Sequence, residues 1–101
     1  MFVATCEVDA LLGDVHSLKE KRALVRPLVK EVRREFDVAV AETGYQDLHR
    51  RTLVTVAAVS GSAAHAREVV DACEAWFAQR PEIEILAVRR RLFGGDDEGM
   101  E

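Results

Sequence analysis

Residues 2–12 read F-V-A-T-C-E-V-D-A-L-L, and residues 15–22, just beyond, read V-H-S-L-K-E-K-R. In the first string Phe2, Ala4, Cys6, Val8 and Ala10 alternate with Val3, Thr5, Glu7 and Asp9. Side chains of a strand point alternately to its two faces, so this pattern predicts a strand with one face on a core and one more polar face. Gly13-Asp14 ends it. Ser17 and Glu20 then form an S-x-x-E capping box. The serine oxygen is expected to accept from the Glu20 N–H, and the carboxylate to return to the Ser17 N–H. A strand that turns directly into a capped helix sets the first two elements of the fold.

The helix is expected to run to about Glu35. Leu18, Val25, Leu28, Val29 and Val32 make its apolar stripe at helical spacing. Pro27 lies inside this span, removes one backbone hydrogen bond and presses on the Ala23 carbonyl. One kinked helix is expected, not two, because the stripe continues through the proline. Residues 36–43, F-D-V-A-V-A-E-T, read as a second strand, followed by a polar loop from Gly44 to Arg51. Residues 52–60, T-L-V-T-V-A-A-V-S, are apolar on both parities and predict a central strand. Ser60-Gly61-Ser62 is turn and cap material, and a second helix follows over 63–79 with Ala66, Val69, Val70, Cys73, Trp76 and Phe77 as its stripe. Arg80-Pro81 stops it, and residues 83–92 make a last strand.

The order β-α-β-β-α-β, with right-handed crossovers, predicts an α+β ferredoxin-like fold: a four-stranded antiparallel sheet with both helices on one face. Residues 1–93 are expected to form this single domain. The acidic, Gly-rich tail 94–101 is expected to be disordered.

The composition narrows the function classes. Hydrophobic residues make up 49% of the 101, enough for a core without a metal or disulfide framework. No apolar run approaches the ~20 residues needed to span a bilayer, and M-F-V-A-T-C-E-V has no basic leader region. With Cys6 and Cys73 far apart and read as reduced, buried thiols, a cytoplasmic protein is expected. The net charge of −4 comes from the tail, which holds Asp96, Asp97, Glu98 and Glu101. Without those four, the 18 acids fall to 14 and match the 14 bases. Any affinity for nucleic acid must therefore come from the arrangement of bases, not from an excess.

Such an arrangement exists on the first helix. Lys19, Arg22, Arg26, Lys30 and Arg33 follow one another at spacings of 3, 4, 4 and 3 and form one basic stripe. A stripe of this kind can follow a phosphate backbone, and the bland alternative is a solvated face. Arg50 and Arg51 are grouped with it as candidates for RNA or anion binding. Lys21 falls inside the apolar arc and must either snorkel out to water or find a carboxylate, for which Glu42 and Asp47 are the candidates. His16 sits just before the cap, where the helix dipole disfavours imidazolium. As a catalytic group it lacks a nucleophile, since the capping box occupies Ser17, so no catalytic residue is assigned. His49 and His65 match no zinc spacing, no phosphate-cradling glycine loop is present, and no metal or cofactor is expected. The exposed sheet face carries no stacking aromatic on its central strands but is partly apolar. Val3 and Thr5 sit there beside either Val54, Val56 and Ala58 or the alternate set. Such a face suits self-association.

Three strings carry a family resemblance: H-S-L-K-E-K-R at 16–22, R-R-E-F-D-V-A-V-A-E at 33–42 and Q-D-L-H-R-R at 46–51. Together they resemble the YlxP-like family, a bacterial domain of unknown function, over about residues 2–90. The resemblance implies a ferredoxin-like fold. It also implies a role near RNA or the ribosome, because the family's genes lie among those for transcription elongation, translation initiation and small-subunit maturation. It supplies no catalytic residues. His49 stands where the family commonly has tryptophan, which removes a stacking aromatic from this loop, and Pro27 and the acidic tail are not family features. The resulting expectation is a non-enzymatic module that binds structured RNA or the ribosome through the basic stripe. The alternatives are a homodimeric interaction module using the open sheet, and an enzyme or sensor at His16.

Overall fold

The computed structural model describes residues 1–95. Its elements are β1 (Phe2–Leu12), α1 (Leu18–Phe36), β2 (Ala39–Gly44), β3 (Arg51–Ser60), α2 (Ala63–Ala78) and β4 (Ile83–Gly94). The strands form one antiparallel sheet in the order β2-β3-β1-β4, so β3 is central. Ala4, Cys6, Val8, Ala10 and Leu12 of β1 are buried, as are Thr52, Val54, Val56 and Ala58 of β3. The inward residues of both helices join the same core, and the opposite sheet face carries no helix among the described residues. This is the ferredoxin-like α+β architecture.

The two ends of α1 differ in detail from expectation. Ser17 Oγ accepts from the Glu20 N–H at 3.1 Å, but the Glu20 carboxylate returns to the His16 N–H at 2.8 Å, one residue earlier than the box predicts. At the other end the helix continues through Phe36. Asp37, in the left-handed region at φ 54°, closes it by donating its N–H to the Arg33 carbonyl. Strand β2 therefore begins at Ala39, not at residue 36. Pro27 sits in an unbroken helix. Both Pro27 and Ala23 are exposed, so the carbonyl that lacks an amide partner faces water.

β4 breaks its alternation at a bulge. Asp9 pairs with Ala87 and Ala10 with Ile85, which leaves Leu86 as the extra residue. The shift lets Ile83, Ile85 and Val88 all pack against the helices. β4 continues past residue 92 to Gly94, where a Cβ would overlap the Met1 carbonyl. Residues 96–101, the greater part of the acidic tail, lie outside the described residues. A smaller apolar cluster of Leu12, Val15 and Val25 closes the end of the core beneath the start of α1. None of the described helices is long and apolar enough to cross a membrane.

Candidate functional site

Lys21 is the anomaly of α1. Helical spacing carries it into the apolar arc, and it is only 2% exposed. A buried ammonium must replace its lost hydration with close acceptors. Two are present: Nζ lies 2.7 Å from Glu42 Oε2 and donates to the Tyr45 carbonyl, also at 2.7 Å. Strand parity brings Glu42 inward, since Val38 and Val40 precede it on the helix side. Its Oε2 also accepts from Thr52 Oγ1 at 2.6 Å. Of the two carboxylates expected as partners, Glu42 is the one used. Asp47 is exposed and makes no ion pair or hydrogen bond among the described residues.

The Tyr45 carbonyl has a second task. It accepts the Leu48 N–H at 3.0 Å and so closes a turn over Tyr45–Leu48. Tyr45 itself adopts φ 57°, a left-handed conformation that costs a non-glycine residue about 1–2 kcal/mol. The buried lysine on its carbonyl helps hold that conformation. Gln46 fixes the turn from the other side by donating Nε2 to the Glu42 carbonyl at 3.1 Å. Nothing in the sequence marks the carbonyl of Tyr45 or the role of Gln46, because main-chain acceptors carry no residue signature.

Between this turn and α1 runs a cleft of about 450 Å³. Arg22, Arg26, Lys30 and Arg33 line one wall, Gln46 and Asp47 the other, and Leu18, Val25 and Val29 add apolar surface. Arg22, Arg26 and Lys30 have no carboxylate partner among the described residues. Arg33 is partly committed, donating Nη2 to the Val40 carbonyl at 3.0 Å on the outer edge of β2. Lys19 lies outside the cleft, on the outer face beside Ala23 and Pro27.

The other two arginines of the expected set are elsewhere. Arg51 lies on the open sheet face, bidentate to Asp9 at 3.0 and 2.8 Å, with its guanidinium 4.4 Å from the centre of the Tyr45 ring. The hydrogen bonds from Arg51 hold the Asp9 carboxyl below its usual range. Arg50 directs Nε to the carbonyls of Leu12 and Gly13 at the end of β1. The structure thus unites Arg22, Arg26, Lys30 and Arg33 and separates Arg50 and Arg51 from them.

His16 is 74% exposed in its side chain, with Nε2 2.7 Å from Asp14 Oδ1, and it does not line the cleft that holds Lys21. His49 is exposed, and His65 lies 3.9 Å from Glu68 on the outside of α2. No group of three metal-ligating side chains occurs among the described residues. Cys6 and Cys73 are free and buried, and burial pushes both thiols up to about 11. On the open face the sheet register selects the alternate set. Leu53, Thr55, Ala57 and Val59 of β3 accompany Val3 and Thr5, whereas Val54, Val56 and Ala58 face the helices.

The comparison with known proteins matches the cleft-bearing body of the chain. Residues 3–90 match the family model described as a protein of unknown function, DUF503. The uncharacterized protein YlxP of Bacillus subtilis (strain 168) is 34% identical over 91 residues, which span 90% of this chain and 99% of that protein. The chain belongs to this YlxP-like family of proteins of unknown function.

Proposed function

We propose that this protein is a binding module that holds structured RNA by its phosphates along the cleft face of α1. The observation that carries the reading is the set Arg22, Arg26 and Lys30: three cations one turn apart, exposed, and without a carboxylate partner among the described residues. Successive members are about 6 Å apart along the helix axis. Cations paired with protein carboxylates have little left to offer a phosphate, and unpaired ones release counterions from RNA when they bind. Lys21, although central to the cleft, is neutralised by Glu42 and serves the scaffold. Titration of the full chain into a labelled, structured RNA at low salt tests the reading. Wild-type binding that the triple variant R22A/R26A/K30A loses supports it, and no wild-type binding at low salt overturns it.

A homodimer through the open sheet is the second reading. It is favoured by one cross-strand row, in which Val59 and Phe93 flank Val3, with Val59 71% and Phe93 50% exposed. The edge of β2 is a poorer contact, because Arg33 and Gln46 already occupy the Val40 and Glu42 carbonyls. A monomer by light scattering at high concentration contradicts this reading. A role in the cytoplasm near the translation machinery is consistent with the RNA reading and rests on it.

A further inference from the structure

The two walls of the α1 cleft differ in kind, and the difference points to a ligand with two chemically distinct ends. The α1 wall offers donors only, from Arg22, Arg26 and Lys30. Gln46 and Asp47 of the Tyr45–Leu48 turn line the opposite wall and offer acceptors: the Asp47 carboxylate, which no described residue engages, and the Gln46 side-chain oxygen, its Nε2 being bonded to the Glu42 carbonyl. Phosphates along α1 would satisfy the first wall and leave the acceptors of the second without a partner. A nucleotide whose base turns toward the loop would satisfy both.

Among the common bases, a carboxylate selects one. Guanine presents two adjacent donors on its Watson–Crick edge, N1–H and the N2 amine, which match the two oxygens of a carboxylate. Adenine and cytosine place a ring acceptor beside their single amine, and uracil flanks its one N–H with carbonyls, so each sets a lone pair against the carboxylate. Unpaired bases are the ones RNA-binding proteins read on this edge. We infer that the cleft takes an unpaired guanosine of RNA, with its phosphates on Arg22 and Arg26 and its base edge on Asp47.

The position of Asp47 is built rather than incidental. The carbonyl that closes its turn is the one Lys21 holds from the core, and Gln46 ties the same turn to β2. Lys21 is thus a positioning residue for the acceptor wall. The 450 Å³ of the cleft falls within the range of small-ligand sites.

This inference rests on the RNA reading, and the test separates the two. The full chain is titrated by fluorescence anisotropy with short unpaired oligouridines carrying one central guanosine, inosine or adenosine, and with GMP and AMP alone. A bidentate base contact discriminates by about 5- to 150-fold. The guanosine oligomer should bind at least about fivefold tighter than the adenosine one. Inosine, which lacks the N2 amine, should fall between them. Asp47→Asn and Asp47→Ala should level the three while leaving binding to uridine alone in place. Equal affinity for all three oligomers, each weakened by R22A/R26A, overturns the guanine assignment and leaves the RNA reading standing. No binding to any oligomer or structured RNA overturns both. Binding of GMP as tight as that of the guanosine oligomer, unmatched by AMP, keeps the base assignment and contradicts RNA as its source.

Discussion

Lys21 and Glu42 form an ion pair at 2.7 Å in which the lysine is almost wholly inside the protein and the carboxylate reaches the edge of the cleft. The pair joins the first turn of α1 to the end of β2, and through the Tyr45 carbonyl it also sets the turn after β2. A buried ion pair gains little over an apolar pair of the same shape, but removal of one partner strands the other. The pair is therefore best understood as a device that fixes the cleft's geometry.

The expected cost of breaking it is substantial. Lys21→Ala should destabilise the chain by roughly 2–3 kcal/mol, somewhat below the range for fully buried pairs because Glu42 is partly exposed. Lys21→Met with Glu42→Leu should recover a good part of that loss. Urea unfolding of both variants measures it. A single variant as stable as wild type would remove the pair from the scaffold.

The open face gives a pH-dependent term. Arg51 lowers the folded pKa of Asp9 below the ordinary value of 3.8. The resulting stability is fully present above 3.8 and drains away as pH falls through the lowered folded value. Asp9→Asn should leave stability less dependent on pH in that acidic window and unchanged in slope near neutrality. Thermal unfolding of wild type and variant across pH 3 to 7, roughly the carboxylate range, distinguishes this from an unlinked surface pair.

Both cysteines should be unreactive in the folded chain. Burial holds Cys6 and Cys73 as thiols up to about pH 11, and only the thiolate attacks. A thiol reagent at mildly alkaline pH should modify neither quickly in native buffer and both promptly in denaturant. Rapid native labelling would show that the core opens far more often than its packing implies.

Much of this architecture is legible from periodicity alone. The alternation of residues 2–12 and the S-x-x-E box set the first strand and helix, and the apolar parities of 52–60 place a central strand. Lys21 stands out because a cation occupies an apolar arc, a signal that points to Glu42 and Asp47 as candidate partners. What sequence could not separate is Glu42 from Asp47. Glu42 follows Val38 and Val40 on one strand face, but the fate of Asp47 depends on Tyr45 taking a left-handed conformation. The end of α1 is ambiguous in sequence for the same kind of reason. Phe36 is as acceptable in a strand as in a helix, and only the left-handed Asp37 shows that the helix claims it. Arg50 and Arg51 are adjacent in sequence but diverge in the fold. Strand β3 begins at Arg51, which sends Arg51 to the open face while Arg50 stays in the preceding loop. The bulge at Leu86 was hidden because I-E-I-L-A-V fits an unbroken strand as well as an interrupted one.

The salt dependence of RNA binding, measured for wild type and R22A/R26A/K30A on one structured RNA, decides whether the α1 cations hold phosphates. If the three cations each neutralise a phosphate, the slope of log affinity against log salt should fall by about 2 to 3 in the variant. Wild type and variant should also converge at high salt. Equal slopes for the two proteins, or binding that ignores salt, would contradict a phosphate-binding role for the α1 cleft.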